Sequence, residues 1–303
     1  MSGLRVGVDI GGTKTEAVVL GASGEVLAER RVPTGFGAPA VVATAVLAIG
    51  DVLAASGHTL AEVESIGVGI PGAVDSVAGR VSHALNLGVD SLDLGAELAR
   101  ALEVPVRVEN DVNAAALGAF HLLELPQASS MGYLNLGTGL AAGLVLGGQL
   151  WRGSRGAAGE IGHILVDPNG PLDLDGQPGG LEVMASGSGI ARQWGTGESN
   201  SVTAVLDAAD SGNDRALEIR RRLFDSVATS IRILVLTVDV DLVVIGGGIS
   251  RLGPRLLGGV DDIFAGWAAN SPFIQSLELP SRVRLLPEGS PVAALGAAYL
   301  GGR

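Results

Sequence analysis

Val6-Gly7-Val8-Asp9-Ile10-Gly11-Gly12-Thr13-Lys14-Thr15 decides how the rest of the chain is read. An alternating apolar run ends in a carboxylate and then in a turn almost without side chains, which predicts a strand delivering an acid to a phosphate-cradling loop. Glu16 to Leu20 continues as a second apolar run, Ala22-Ser23-Gly24 turns the chain, and Glu25 to Arg30 alternates again, so the stretch reads as a three-stranded meander. In its first turn Gly11 and Gly12 let backbone N–H groups approach an anion, Thr13 adds a hydroxyl and Lys14 a positive charge. An ordinary glycine hairpin is written with the same letters, and this stretch alone does not separate the two.

A second copy shifts the balance. Tyr133-Leu134-Asn135-Leu136-Gly137-Thr138-Gly139, then Leu140 to Leu146, Gly147-Gly148 and Gln149 to Arg152, repeat the order strand, Gly/Thr turn, strand, glycine turn, strand. A repeated unit predicts two similar domains, and two Gly-Thr turns facing each other across a cleft would grip both ends of a phosphate chain.

The chain has 303 residues, enough for two lobes of about 150 each. Hydrophobic residues make up 47% and charged ones 17%, which predicts a globular chain with a large core; an aromatic share of 3% makes that core aliphatic. Its 47 glycines follow no period, so collagen-like and linker readings fail. A net charge of −12 disfavours nucleic acid, and a polyanionic ligand would have to be held locally by loops. With no cysteine, disulfides, iron–sulfur clusters and thiolate zinc are excluded. The first strand starts within a few residues of Met1 and no apolar run is expected to approach the ~20 residues of a membrane span, so the expected location is cytoplasmic.

Helical spacing of Val42, Val46, Ile49, Val52 and Leu53 predicts a helix over Pro39–Ser56, and Ser65–Ile70 reads as a buried strand. Gly67, Gly69 and Gly72 spell G-x-G-x-x-G, but Pro71 interrupts it and no helix pattern follows, so the match is accidental. The register around Lys14 likewise fails the Walker A pattern. Leu94–Leu102 predicts a helix, Val104–Val108 a strand, and Val112–Leu123 an alanine-rich helix. Asp111 therefore sits where a strand ends and a helix begins. It reads either as an N-cap or as a catalytic acid or base, since open α/β folds place their sites at such carboxyl ends. Arg152 to His163 is a glycine-rich loop carrying Glu160 and His163, and Asp167–Gly180 an excursion without regular structure. Leu181-Glu182 precedes a turn at Ser186–Gly189, Leu217–Val238 is a long helix, and Val240–Ile245 a buried strand. Gly246-Gly247-Gly248 is either a tight connection or bare backbone for a flat nucleoside; Arg282–Leu286 and Val292–Leu300 close the chain as strand and helix.

Asp9-x-Gly-Gly-Thr, Glu109-Asn110-Asp111, Leu136-Gly-Thr-Gly, Gly159-Glu160-Ile-Gly162-His163 and Gly246-Gly247-Gly248 follow one another at domain-scale spacing. Together they resemble the ROK family of sugar kinases, within the actin-like ATPase superfamily. The resemblance implies an α/β fold of two ribonuclease H-like lobes around a cleft, a small lobe of 1–112 plus 291–303 and a large lobe of 113–290. It implies ATP-dependent phosphorylation of a hexose hydroxyl, glucose foremost, with Asp111 as general base and Asp9 holding Mg²⁺ directly or through water. Phosphates and nucleotide would lie on Gly11, Gly12, Thr13, Lys14, Gly137, Thr138, Gly139, Gly246, Gly247 and Gly248. The sugar would lie on Gly72, Ala73, Asn86, Asn110, Asp111, Glu160, His163 and Glu182. Another hexose or an N-acetylhexosamine, polyphosphate as donor through a basic groove at Arg152 and Arg155, or a non-catalytic sugar-binding regulator are the alternatives; the expected assembly is a homodimer. Many relatives follow the His with Cys-x-Cys-Gly-x-x-Gly-Cys-x-Glu, a zinc site, where this chain has Asp173-Leu174-Asp175-Gly176-Gln177-Pro178-Gly179-Gly180-Leu181-Glu182. No structural zinc is expected, and packing or proline stiffness would order the loop.

Overall fold

The structure is a computed structural model and describes residues 3–195 and 201–301. In chain order the elements are β1 (Leu4–Ile10), β2 (Lys14–Leu20), β3 (Val26–Pro33), α1 (Ala38–Ser56), β4 (Val63–Ile70), β5 (Ala73–Asp75), β6 (Arg80–Ala84), β7 (Val89–Leu92), α2 (Leu94–Leu102), β8 (Val106–Asn110) and α3 (Asp111–Leu122). They continue as β9 (Ser130–Leu136), β10 (Leu140–Leu146), β11 (Gln149–Trp151), α4 (Leu181–Ala185), α5 (Gly187–Trp194), α6 (Ser201–Asp210) and α7 (Asp214–Val238). The last are β12 (Leu242–Gly246), α8 (Pro254–Asn270), α9 (Pro272–Ser276), β13 (Val283–Leu285) and α10 (Val292–Leu300).

The repeat seen in the sequence is a repeat of sheet topology. One five-stranded sheet runs β3-β2-β1-β4-β8 and the other β11-β10-β9-β12-β13. In the first, β2 is antiparallel to β1 and β3, while β4 runs parallel to β1 and β8. In the second, β10 and β11 are antiparallel and β12 is parallel to β9 and β13. An antiparallel meander followed by parallel strands reached through helices is the ribonuclease H-like unit of the actin-like ATPase fold, present twice. A small third sheet, β5-β6-β7, was not read from the sequence, because its strands are short and their polar letters look like turns.

By their contacts the residues fall into two compact units: Met1–Gln127 with Gly143–Ala157 and Gly289–Arg303, and Ala128–Ala142 with Ala158–Glu288. In the first, α1 buries Val41, Thr44, Ala45, Ala48, Ile49, Val52 and Leu53. Val42 and Val46, expected inside, are only partly buried, because alanines at 45 and 48 let the helix approach the sheet along a neighbouring stripe. Contrary to expectation, α1 is long and apolar enough to cross a membrane by length and composition. Its buried stripe belongs to the core of this unit instead.

Glycines bring four elements of the first unit into backbone contact. A Cβ on Gly67 of β4 would stand 1.7 Å from the Ala297 carbonyl oxygen, and one on Gly7 of β1 1.9 Å from that of Ala294. On Gly296 of α10 it would meet the Ala114 oxygen at 1.8 Å, and on Gly118 of α3 the Val292 oxygen at 1.9 Å. Hydrogen alone fits at these points, so β1, β4, α3 and α10 form one packed block.

Candidate active site

Four strands of the first unit place four residues in one row: Glu16 on β2 lies opposite Asp9 on β1, Asp9 opposite Gly69 on β4, and Gly69 opposite Glu109 on β8. Two carboxylates of the row have arginine partners. Arg31 donates to Glu16, and Arg152 Nε donates to Glu109 Oε2 at 2.6 Å. Asp9 has no ion-pair partner among the described residues. Burial, then the Asp111 and Glu16 charges, push the Asp9 carboxyl up to about 8, against a smaller pull from Lys14. Gly69 makes room for this crowding: the place of its missing Cβ lies 3.7 Å from Asp9 Oδ1 and 3.6 Å from the Asp111 Cα. A carboxylate without an ion-pair partner, such as Asp9, suits a hard cation that takes its remaining ligands from phosphate and water.

At the start of α3 the cap is Asn110 and not Asp111. Asn110 Oδ1 accepts from the N–H groups of Val112 (2.9 Å) and Asn113 (3.2 Å), which corrects the N-cap reading of Asp111. Asp111 is the first helical residue, with Oδ1 accepting from the Val112 N–H at 3.0 Å. Asn110 Nδ2 also donates to the Gly72 carbonyl at 3.3 Å. Gly72 has a φ of 104°, and a Cβ there would stand 2.7 Å from the Ser82 oxygen, so the turn into Ala73 requires glycine. In the β1–β2 turn the Gly11 N–H is spent on Lys14 O at 2.9 Å, while Gly12, Thr13 and Lys14 are exposed. Asn86 Nδ2 lies 3.2 Å from the place of a Gly12 Cβ, bringing a sugar candidate beside a phosphate candidate. This unit thus gathers Asp9, Gly11–Lys14, Gly72, Ala73, Asn86, Asn110 and Asp111.

The second unit builds its own cluster around Gly137-Thr138-Gly139. The Gly137 N–H closes the turn on Gly139 O at 3.0 Å, as Gly11 does in the first copy. The start of α5, capped by Ser186 and not a plain turn as expected, holds the loop from behind. Gly187 N donates to Gly137 O (2.8 Å), and Ser188 donates to Thr138 O through N (3.1 Å) and Oγ (2.7 Å). Glu182 Oε2 accepts from the Leu140 N–H at 3.0 Å, tying this sugar candidate to the phosphate turn. Gly162 packs against Glu182 with 3.2 Å between its Cβ place and the Glu182 Cβ, and the exposed Glu160 and His163 flank it. Of the three glycines after β12, two answer to packing. A Cβ on Gly246 would strike the Tyr133 hydroxyl at 2.1 Å and one on Gly247 the Leu136 carbonyl at 2.5 Å, whereas Gly248 faces open space.

The cysteine-free excursion is held by aspartate side chains. Asp173 Oδ1 accepts from the N–H groups of Asp175 (2.9 Å) and Gln177 (2.7 Å), and Asp167 Oδ1 from that of Asn169 (3.0 Å). Isolated bridges join Leu165 to Gly180 and Leu172 to Pro178. Among the described residues no three His, Cys, Asp or Glu side chains form a group able to hold a metal. Sequence reasoning passed over Glu16 and Glu109. The signal was there, since a lone acid inside an apolar strand needs a partner.

Residues 5–302 match the ROK family. The chain belongs to the ROK family. It is 33% identical over 314 residues to the glucokinase of Halalkalibacterium halodurans, covering 97% of this chain and 94% of that protein. It is also 33% identical over 245 residues to an Escherichia coli N-acetylmannosamine kinase, 80% and 82% of the two chains. The ROK glucokinase of Streptomyces griseus, solved with glucose and AMPPNP, superimposes with a TM-score of 0.76 at 30% identity, over 98% of this chain and 99% of that one. This ROK protein is a carbohydrate kinase.

Proposed function

We propose that this ROK protein transfers the γ-phosphoryl group of ATP to a hexose hydroxyl, with glucose as the first substrate to expect. The observation that carries the reading is the meeting of Asp111 and Asp9 at the carboxyl ends of β8 and β1, with Gly69 leaving both room. Asp111 accepts the proton of the sugar hydroxyl as its oxygen attacks phosphorus in line and ADP departs. Asn86, Asn110, Glu160, His163 and Glu182 orient the sugar, whose hydroxyls each donate and accept. The two Gly-Thr turns hold the phosphates and the Gly248 end of the glycine run faces the nucleoside. Mg²⁺, when bound through Asp9, neutralises charge on the phosphoryl oxygens.

Polyphosphate is the poorer donor, because Arg152 is committed to Glu109. An N-acetylhexosamine is the second sugar reading, supported by the equal identity to the N-acetylmannosamine kinase. A homodimeric assembly and a cytoplasmic location complete the proposal, and the lobe boundary expected at 112/113 gives way to one beyond α3, which packs with β4 and α10. A coupled ADP-release assay across glucose, mannose, fructose, allose and N-acetylated hexosamines, with ATP and with polyphosphate, tests it beside Asp111→Asn. Asp111→Asn is expected to keep sugar binding by calorimetry and to lose turnover by several orders of magnitude. Turnover comparable to the parent removes Asp111 from the base role.

A further inference from the structure

Glu109 precedes the base by two residues and is buried, its side chain 3% exposed. Three donors converge on it: Oε1 accepts from the Asn110 N–H and from Asn113 Nδ2, each at 3.0 Å, and Oε2 from Arg152 Nε at 2.6 Å. Asn110 lies immediately before Asp111 and Asn113 two residues after it, so the carboxylate clamps the chain on both sides of the base. We propose that the Glu109–Arg152 pair is a positioning device for Asp111, fixing the first turn of α3 so that the Asp111 carboxylate keeps its aim during phosphoryl transfer. The inference rests on Asp111 being the base.

Only a carboxylate meets the demand. Asn113 can turn its amide, but the Asn110 N–H and the Arg152 guanidinium are donors in any arrangement and arrive at different oxygens. A glutamine at 109 would present its NH₂ to one of them. Arg152 has a second task, since an unpaired carboxylate this close to Asp111 and Asp9 would add to a site already rich in negative charge. Its side chain is 38% exposed, so it can be changed without opening the core. A hydrogen-bonded pair that merely held the fold together would work anywhere along β8. This one is attached to the residues on either side of the proposed base.

The test uses the full chain, MgATP, and the hexose that the parent turns over fastest. Arg152→Met is expected to lower kcat about ten- to a hundredfold with KM for the sugar changed less than about threefold, because aim and not occupancy is lost. The melting temperature is expected to fall, because a buried carboxylate is left unpaired, so kcat is expressed per folded protein at a temperature well below both transitions. Arg152→Lys should recover to within about fivefold of the parent, since it restores the charge without the planar fork. Glu109→Gln should lose a similar factor, and the double variant Glu109→Gln/Arg152→Met no more than either single change, as expected of one device. If Glu109→Gln fails to fold, Arg152→Met decides. A kcat for Arg152→Met within twofold of the parent, or a loss that tracks only the unfolded fraction, overturns the proposal. Asp111→Asn, assayed in parallel, reports separately on the base: activity there defeats the base reading whatever the arginine variants do.

Discussion

Replacing Asp9 by Asn is expected to flatten the dependence of stability on pH in the ligand-free protein. The folded state holds the Asp9 carboxyl up at about 8, from an ordinary 3.8, through burial first and then Asp111 and Glu16. A carboxyl raised in this way keeps its proton in the folded chain over a range where the unfolded chain has already released it. Stability is therefore complete below about pH 4 and drains away as pH rises toward 8. A gap of about four pH units at about 1.36 kcal/mol each sets a ceiling of about 6 kcal/mol. Between pH 5 and 8.5, with relaxation around a partly exposed group, about 3 kcal/mol is the expected loss. For a chain of this size that is about 6 °C in melting temperature. The assay is thermal unfolding from pH 5 to 8.5 at fixed ionic strength, without nucleotide or divalent cation, on the parent and Asp9→Asn. Every other titrating group is present in both, so the difference in slope reports Asp9 together with its coupling to Asp111 and Glu16. The parent should lose about 6 °C more than the variant across the range. Parallel slopes would refute the picture of Asp9 as a carboxyl crowded by its neighbours.

Gly67→Ala should abolish soluble expression or cost more than about 3 kcal/mol in denaturant titration, because the added methyl would lie 1.7 Å from the Ala297 oxygen and both partners are backbone. Asp173→Ala removes the acceptor of two N–H groups in an exposed loop, so global stability should fall by about 1 kcal/mol or less while proteolysis near residue 175 quickens. Dialysis of the protein against a chelator is expected to leave its melting temperature unchanged, and a metal found on His163 by elemental analysis would contradict that.

The sequence carried the parts of the fold whose signals are local. Both meanders, and the helices α2 and α10 to the residue, follow from apolar period and turn letters. The sheet β5-β6-β7 escaped because strands of three to five residues bury too little to leave a period, as Val81 alone in β6 with Ala84 shows. The helix α5 was read as a turn because Ser186-Gly187-Ser188-Gly189 is written in turn residues, and its stability comes from Ser186 capping and from the loop it holds. At the candidate site, the acids and glycines were visible as residue types, but their division of labour was not. Which of Asn110 and Asp111 caps α3, and which glycine of 246–248 faces open space, depend on neighbours far along the chain that no spacing rule reaches.

The contact between Gly7 and Ala294 also sets an order of events during synthesis. The strand bearing Asp9 leaves the ribosome long before the helix it needs at its back. Until residues 292–300 emerge, β1, β4 and α3 present to solvent a bare groove cut to the width of a polypeptide backbone. A growing chain of this protein therefore holds both acids of its site long before it can hold them in place, and a translation product stopped short of residue 292 should be recovered as a substrate of chaperones and proteases, without turnover.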